Sequence, residues 1–168
     1  MSFDIYTASI PAFLNQLNAM GKVLDKAAAH AEARKIDPLT ITAWRLAPDM
    51  LTMGRQVQIM CDFAKGAAAR LAGQEVPKWA DDEKTIDELK ARIAKTIAFV
   101  ESFKPEHFAD APAREVVMTV GGKEWKFTGA EYLTHFVLPN FYFHASIAYA
   151  NLRNLGVELG KMDFIGRG

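Results

Sequence analysis

Between Tyr132 and Leu152 the chain carries no Lys, Arg, Asp or Glu, and this charge-free run constrains the fold more than any other feature. Drawn as a helical wheel, it is apolar nearly all round: Leu133, Val137 and Ala148 lie in one sector, and Leu138, Tyr142, Ala145 and Tyr149 in the opposite one. A helix with that distribution has to be covered on every side. His135, Pro139, Asn140, His144, Ser146 and Asn151 interrupt the run, and such groups are costly in hydrocarbon unless partnered. The expectation is a buried helix of a soluble protein, not a membrane span.

Periodicity of about 100° per residue supplies the rest of the architecture. In a first helix Tyr6, Ile10, Phe13, Leu17, Met20, Leu24 and Ala28 form one stripe, with Pro11 either kinking the helix or marking its first turn after Ser9. A second is expected from Pro48 to Leu71, before Gly73, with a Met-rich, small-residue face of Met50, Met53, Gly54, Val57, Met60, Cys61, Ala64 and Ala68. A third opens at the capping box TIDE (Thr85 to Glu88), buries Ile86, Leu89, Ile93, Ile97 and Val100, and ends near Pro105. The preceding DDEK run reads as solvated. Residues 115–127 alternate around Gly121-Gly122 as a β-hairpin, and a second box at Thr128 and Glu131 opens the last helix, which stops at Gly156. The expected fold is all-α, a four-helix bundle with a small β-hairpin inserted before the last helix, forming one domain over residues 1–168.

Lys+Arg and Asp+Glu both number 20, so no long-range field draws nucleic acid or an anionic membrane. A lone Cys61 rules out an internal disulfide, and the N-terminal residues lack the basic flank and apolar run of a secretory signal, which points to the cytoplasm. No phosphate-binding glycine loop and no nucleophile elbow is present.

The chemistry concentrates on the last helix. Leu133, Val137, Asn140, His144, Ala148 and Asn151 share a narrow sector that is expected to face the core, which places Asn140 and His144, four residues apart, side by side among apolar neighbours. Pro139 deprives the His135 carbonyl of its usual donor and bends the axis, opening space. His135 itself projects to the opposite face, so the two histidines cannot chelate one ion. The outer stripe of His135, Leu138, Tyr142, Ala145 and Tyr149 needs cover from the hairpin, the C-terminal tail or a second subunit, and a homodimer is expected. Cys61 reads as a buried structural thiol, Gln56 as a solvent-facing amide, Arg45 as a partner for Asp49, and His30 and His107 as water-facing helix ends. Trp44, Trp79 and Trp125 read as anchors of loops and hairpin.

The segments RLAPDM (45–50), QVQIMCDFAKG (56–66), ARLAG (69–73), LPNFYFH (138–144), AYANLRNLGV (148–157) and GKMDFIG (160–166) carry a resemblance over nearly the whole chain. It resembles the DinB/YfiT-like superfamily of metal-dependent four-helix-bundle enzymes, and more closely a bacterial branch of it known only as a domain of unknown function. The resemblance implies a site of three histidines, one on the second helix and an HxxxH pair on the last, holding zinc or nickel. Asn140 and His144 fall on that pair, so one imidazole is replaced by an amide, a weak ligand for such metals, and the second helix contains no histidine.

Three readings of His144 follow. It is a core histidine hydrogen-bonded to Asn140, Gln58, Asp62 or Tyr6; or it is an acid, base or anchor of a small-molecule site formed with Asn140, Gln58, Asp62 and Tyr6; or it is a metal ligand completed by the Cys61 thiolate or a carboxylate. The functional expectation is a polar cleft that binds a small ligand or is purely structural, with a degenerate metal site and no cofactor. The alternative is a zinc- or nickel-dependent enzyme, of the type that handles thiol cofactors, using His144.

Overall fold

The computed structural model describes residues 4–168. Helix α1, Ile5–Arg34, starts from a reciprocal cap in which Asp4 accepts from the Thr7 amide at 2.8 Å and Thr7 Oγ1 accepts from the Asp4 amide at 2.9 Å. Pro11 thus lies inside the helix, in its second turn. The α1 stripe of Ile10, Phe13, Leu17, Met20 and Leu24 is buried as its spacing requires. Lys35, in the left-handed region at φ 55°, ends the helix.

A short helix α2, Pro38–Ala43, follows an Asp37 cap that the apolar pattern does not announce. Helix α3 spans Met53–Leu71, not the expected Pro48–Leu71. Pro48 belongs to a turn closed by the Met50 amide on the Ala47 carbonyl, and the segment is tied back by the Met53 amide on the Trp44 carbonyl at 2.7 Å. Thr52, whose hydroxyl accepts from the Arg55 amide, is the better start because it satisfies an orphan donor, which proline cannot do. Trp44 pins this loop to the last long helix through Nε1 and Asn154 Oδ1 at 3.0 Å.

Helix α4, Ile86–Glu101, begins with the capping box of Thr85 and Glu88. Strands β1, Glu115–Val120, and β2, Lys123–Thr128, pair antiparallel around Gly121 and Gly122, whose φ of 57° and 78° a side chain would resist. The protein is therefore mostly helical with one two-stranded hairpin. Helices α1 and α3 each pack on α4, and both also pack on the last long helix, so these long helices share one core.

The last helix departs from its expected form. Thr128 caps a single α-turn, α5 (Gly129–Glu131), which gives way to a π-helical segment, Tyr132–Val137, before α6 resumes at Leu138–Asn154. The Leu138 amide reaches back to the Leu133 carbonyl, five residues away. Pro139 follows immediately and has no N–H to continue the α ladder; beside it, the Asn140 side chain donates to the Phe136 carbonyl at 2.7 Å.

The wide turn holds one residue more than an α-turn, so the inward face moves on by one position over the next turns, to Phe141 and Ala145. The core-facing residues are Leu133, Val137, Phe141, Ala145, Ala148 and Leu152. Asn140 and His144, expected in the core, are half-buried at its edge, while Ala145, assigned to the outer stripe, is fully buried; Asn151 is buried as expected.

The outer stripe is covered only in part by this chain: Ala145 is buried, Leu138 and Tyr149 are half-buried, and His135 and Tyr142 are exposed. Phe136 packs against Trp125 and Phe127 of the hairpin. Tyr149 meets Phe164 of α7, Lys161–Phe164, edge-on, and α7 is held to α1 by Lys26 on Asp163 and by Gln16 on the Phe164 carbonyl. Tyr142 and Phe143 remain open, at 37% and 52% exposure. No helix among the described residues is long and apolar enough to cross a membrane.

Candidate functional site

Two polar constellations flank α3 on opposite sides. On the α6 side, the register shift brings His144 against α3, where Nδ1 lies 2.7 Å from Gln56 Oε1. Its ring stacks on Phe63 at 5.8 Å and 19°, and Phe143 meets it edge-on. Gln56, expected to face solvent, is 2% exposed and donates its own Nε2 to the Leu51 carbonyl. That bond fixes the amide's orientation. Gln56 Oε1 must accept, so His144 Nδ1 carries the proton and Nε2 carries the lone pair. Nε2 has no protein partner among the described residues. Burial pushes the His144 pKa below its ordinary 6.5, keeping the ring neutral. The arrangement is one pre-oriented imidazole with an open acceptor.

The other expected participants lie elsewhere. Asn140 spends its side-chain donor on the Phe136 carbonyl and not on His144. Gln58 receives from Arg55 Nη1 at 2.7 Å and donates to Glu83 Oε2 at 2.8 Å. Asp62 pairs with Lys65 and Arg92. Tyr6 packs edge-on against Phe108. The polar partner of His144 is the residue that sequence reasoning set aside. The signal that could have found it is the spacing of Gln56 and Phe63, seven apart on α3 and hence on one face.

The residues present do not fit a zinc or nickel ion. Among the described residues no group of three or more His, Cys, Asp or Glu is placed to hold a metal. Cys61 is fully buried, and burial pushes its thiol up to about 12, although Thr96 hydrogen-bonds it, so no thiolate is available near neutrality. His107 accepts from the Lys104 amide at the start of a 3₁₀ turn, Pro105–Phe108, far along the chain from α6.

On the α4 side of α3, Arg92 is a buried cation with its side chain 1% exposed. Its Nη1 donates to the Ala80 carbonyl and to Glu83, and its Nη2 to Asp62 and Asp81, at 2.8–3.1 Å. Burial opposes the charge, and the bonds to Glu83 with the fields of Asp62 and Glu83 outweigh it, so the Arg92 pKa is raised. Asp81 and Glu83 of the DDEK run are thus not merely solvated; they draw the loop between α3 and α4 onto Arg92. A groove of about 340 Å³ beside them is lined by Thr42, Gly54, Arg55, Gln58, Asp81 and Glu83.

Residues 5–165, almost the entire chain, match a family described as Domain of unknown function (DUF1993). The chain belongs to the DUF1993 family. A DinB family member protein from Shewanella denitrificans, known from its crystal structure, is 39% identical to this DUF1993 chain and superposes with a TM-score of 0.89 over 96% of this chain and 92% of that one. The resemblance to the DinB-like fold read from the segments between Arg45 and Gly166 is therefore correct. No curated protein matches this DUF1993 chain.

Proposed function

We propose that this protein is a metal-independent, DinB-like four-helix bundle that uses the neutral His144 imidazole as a hydrogen-bond acceptor for a small polar ligand at the α3–α6 seam. One observation carries the reading: His144 Nδ1 is committed to Gln56 at 2.7 Å, which leaves Nε2 presented with its lone pair outward. Holding one ring nitrogen through an oriented partner is how proteins fix a tautomer for binding or proton transfer. The same open lone pair supports a second reading, a metal-dependent enzyme with His144 as a ligand, but the amides of Asn140 and Gln56 supply no strong second donor.

Long-range ¹⁵N–¹H NMR separates these readings. The expected spectrum shows Nδ1 protonated and Nε2 bare near neutral pH, with zinc or nickel titrating weakly and without saturation. Stoichiometric metal in protein purified without an affinity tag would overturn the proposal. The exposed pair Tyr142 and Phe143 supports a homodimer through this face, and the single Cys61 is in keeping with a cytoplasmic protein. Light scattering of Phe143→Glu should report a shift to monomer; unchanged mass would reject that dimer face.

A further inference from the structure

The C-terminal end of α3 carries a second opening, which meets the His144 site only through Phe63. Gln56 and Arg70 are fourteen residues apart on one helix, roughly 21 Å at 1.5 Å per residue. Arg70 lines two adjoining cavities that share it with Asp62. One, of about 710 Å³, is walled by Lys65, Glu75, Val76, Pro77, Lys78 and Trp79; the other, of about 180 Å³, by Phe63, Met118 and Tyr132.

The state of the Arg70 charge sets this place apart. Arg92 faces Asp62, Asp81 and Glu83, Arg55 has Asp81, and Lys65 has Asp62. The polar partner of Arg70 among the described residues is the neutral Tyr132 hydroxyl, at 3.0 Å from Nη1. Gly66 makes room for it, since a methyl there would sit 2.6 Å from Arg70 Nη1. The Trp79 ring already carries two cations, Lys65 and Lys95, over it at 4.5 and 4.4 Å. What remains is a guanidinium with unused donors, Lys78 on the same rim, and an apolar wall of Val76 and Pro77. The last turn of α3 also favours a cation there through its dipole, but that role needs no cavity.

We propose that Arg70 is the anchor of a binding site for a small monocarboxylate with an apolar body. The carboxylate would take the free edge of the planar fork, a geometry that suits two parallel N–H···O bonds better than a point charge does. The apolar part lies against Val76 and Pro77, and Tyr132 holds the fork in place. Asp62 is already neutralised by Lys65 and Arg92, and the charge of Glu75 on the same wall is offset by Lys78, so Arg70 is the cation left over for the ligand.

Benzoate is the probe, benzamide its neutral counterpart, and inorganic phosphate a second oxyanion. In NMR titrations of the full chain, benzoate should saturate with shifts centred on the Arg70 side chain, Tyr132 and the Trp79 indole. Benzamide should bind about tenfold more weakly or worse, and Arg70→Gln should weaken benzoate about tenfold. Tyr132→Phe should cost a few-fold, and Arg70→Lys, which keeps the charge without the fork, should resemble Arg70→Gln more than wild type. Equal binding of benzamide, shifts mapping to another surface, or affinity unchanged in Arg70→Gln would overturn the site. Saturation by phosphate with none by benzoate would overturn the assignment to a carboxylate. Should Arg70→Gln fail to fold, the wild-type shift map and Tyr132→Phe decide the matter, and no saturable binding in wild type rejects it outright.

Discussion

The two faces of α3 solve the same problem in opposite ways. Toward α4, Gln58 both accepts from Arg55 and donates to Glu83, Asp62 takes Lys65 and Arg92, and Arg92 is surrounded by carboxylates. Toward α6, Gln56 answers half of an imidazole and leaves the other half outward. A network whose charges are nearly all paired, Arg92 Nε alone among its buried atoms lacking a partner, acts as a clasp on the loop after α3. An unsaturated one is where binding energy remains to be gained. Polar residues two apart on a helix, Gln56 and Gln58, thus serve different ends because they face different neighbours.

The largest effect expected tests the register that created the α6 side. Phe141→Ala should cost about 4 kcal/mol, because Phe141 is fully buried and packs edge-on with Phe13 at 5.0 Å. Asn140→Ala should cost under about 1 kcal/mol. Urea unfolding measures both, and the reverse order would restore the unshifted wheel. On the α4 side, Arg92→Met should cost about 3 kcal/mol, since it leaves the mostly buried Glu83 carboxylate with only the Gln58 amide, while Asp62 and Asp81, each 36% exposed, can still turn to water. A cost near zero in the same assay would mean that the clasp contributes nothing.

Gln56→Leu should cost about 1–2 kcal/mol by leaving His144 Nδ1 unpaired, and its NMR spectrum should show both tautomers in place of one. The smallest effect concerns pH. Because burial lowers the His144 pKa below 6.5 in the fold, the unfolded chain binds more protons between the two values. Its contribution is therefore complete above 6.5 and is lost as pH falls through the native midpoint. Stability measured across pH should flatten in that window in His144→Gln; an unchanged profile would show that the ring is not desolvated.

Much of this was legible in the sequence, and the gaps have physical causes. The α1 stripe, the Thr85 and Thr128 capping boxes and the Gly121-Gly122 turn are local signals, decided by neighbours within a few residues, and all appear as read. Arg92 as a buried cation could not be read, since its partners come from a loop whose path depends on the folded core. Gln56 was misplaced because glutamines at the margin of a stripe look alike until the opposing helix is known. Pro139 marks a disturbance, as its chemistry requires; the wide turn just before it was not legible, and the assignment of Asn140 and His144 to the core failed with it.

That wide turn also bears on how this chain is compared with others. In a relative that lacks the additional residue between Tyr132 and Val137, the position aligned with His144 would rotate by about 100° and look into the interior. Transferring a ligand role column by column along the last helix is sound only between chains that share the same number of residues in that turn.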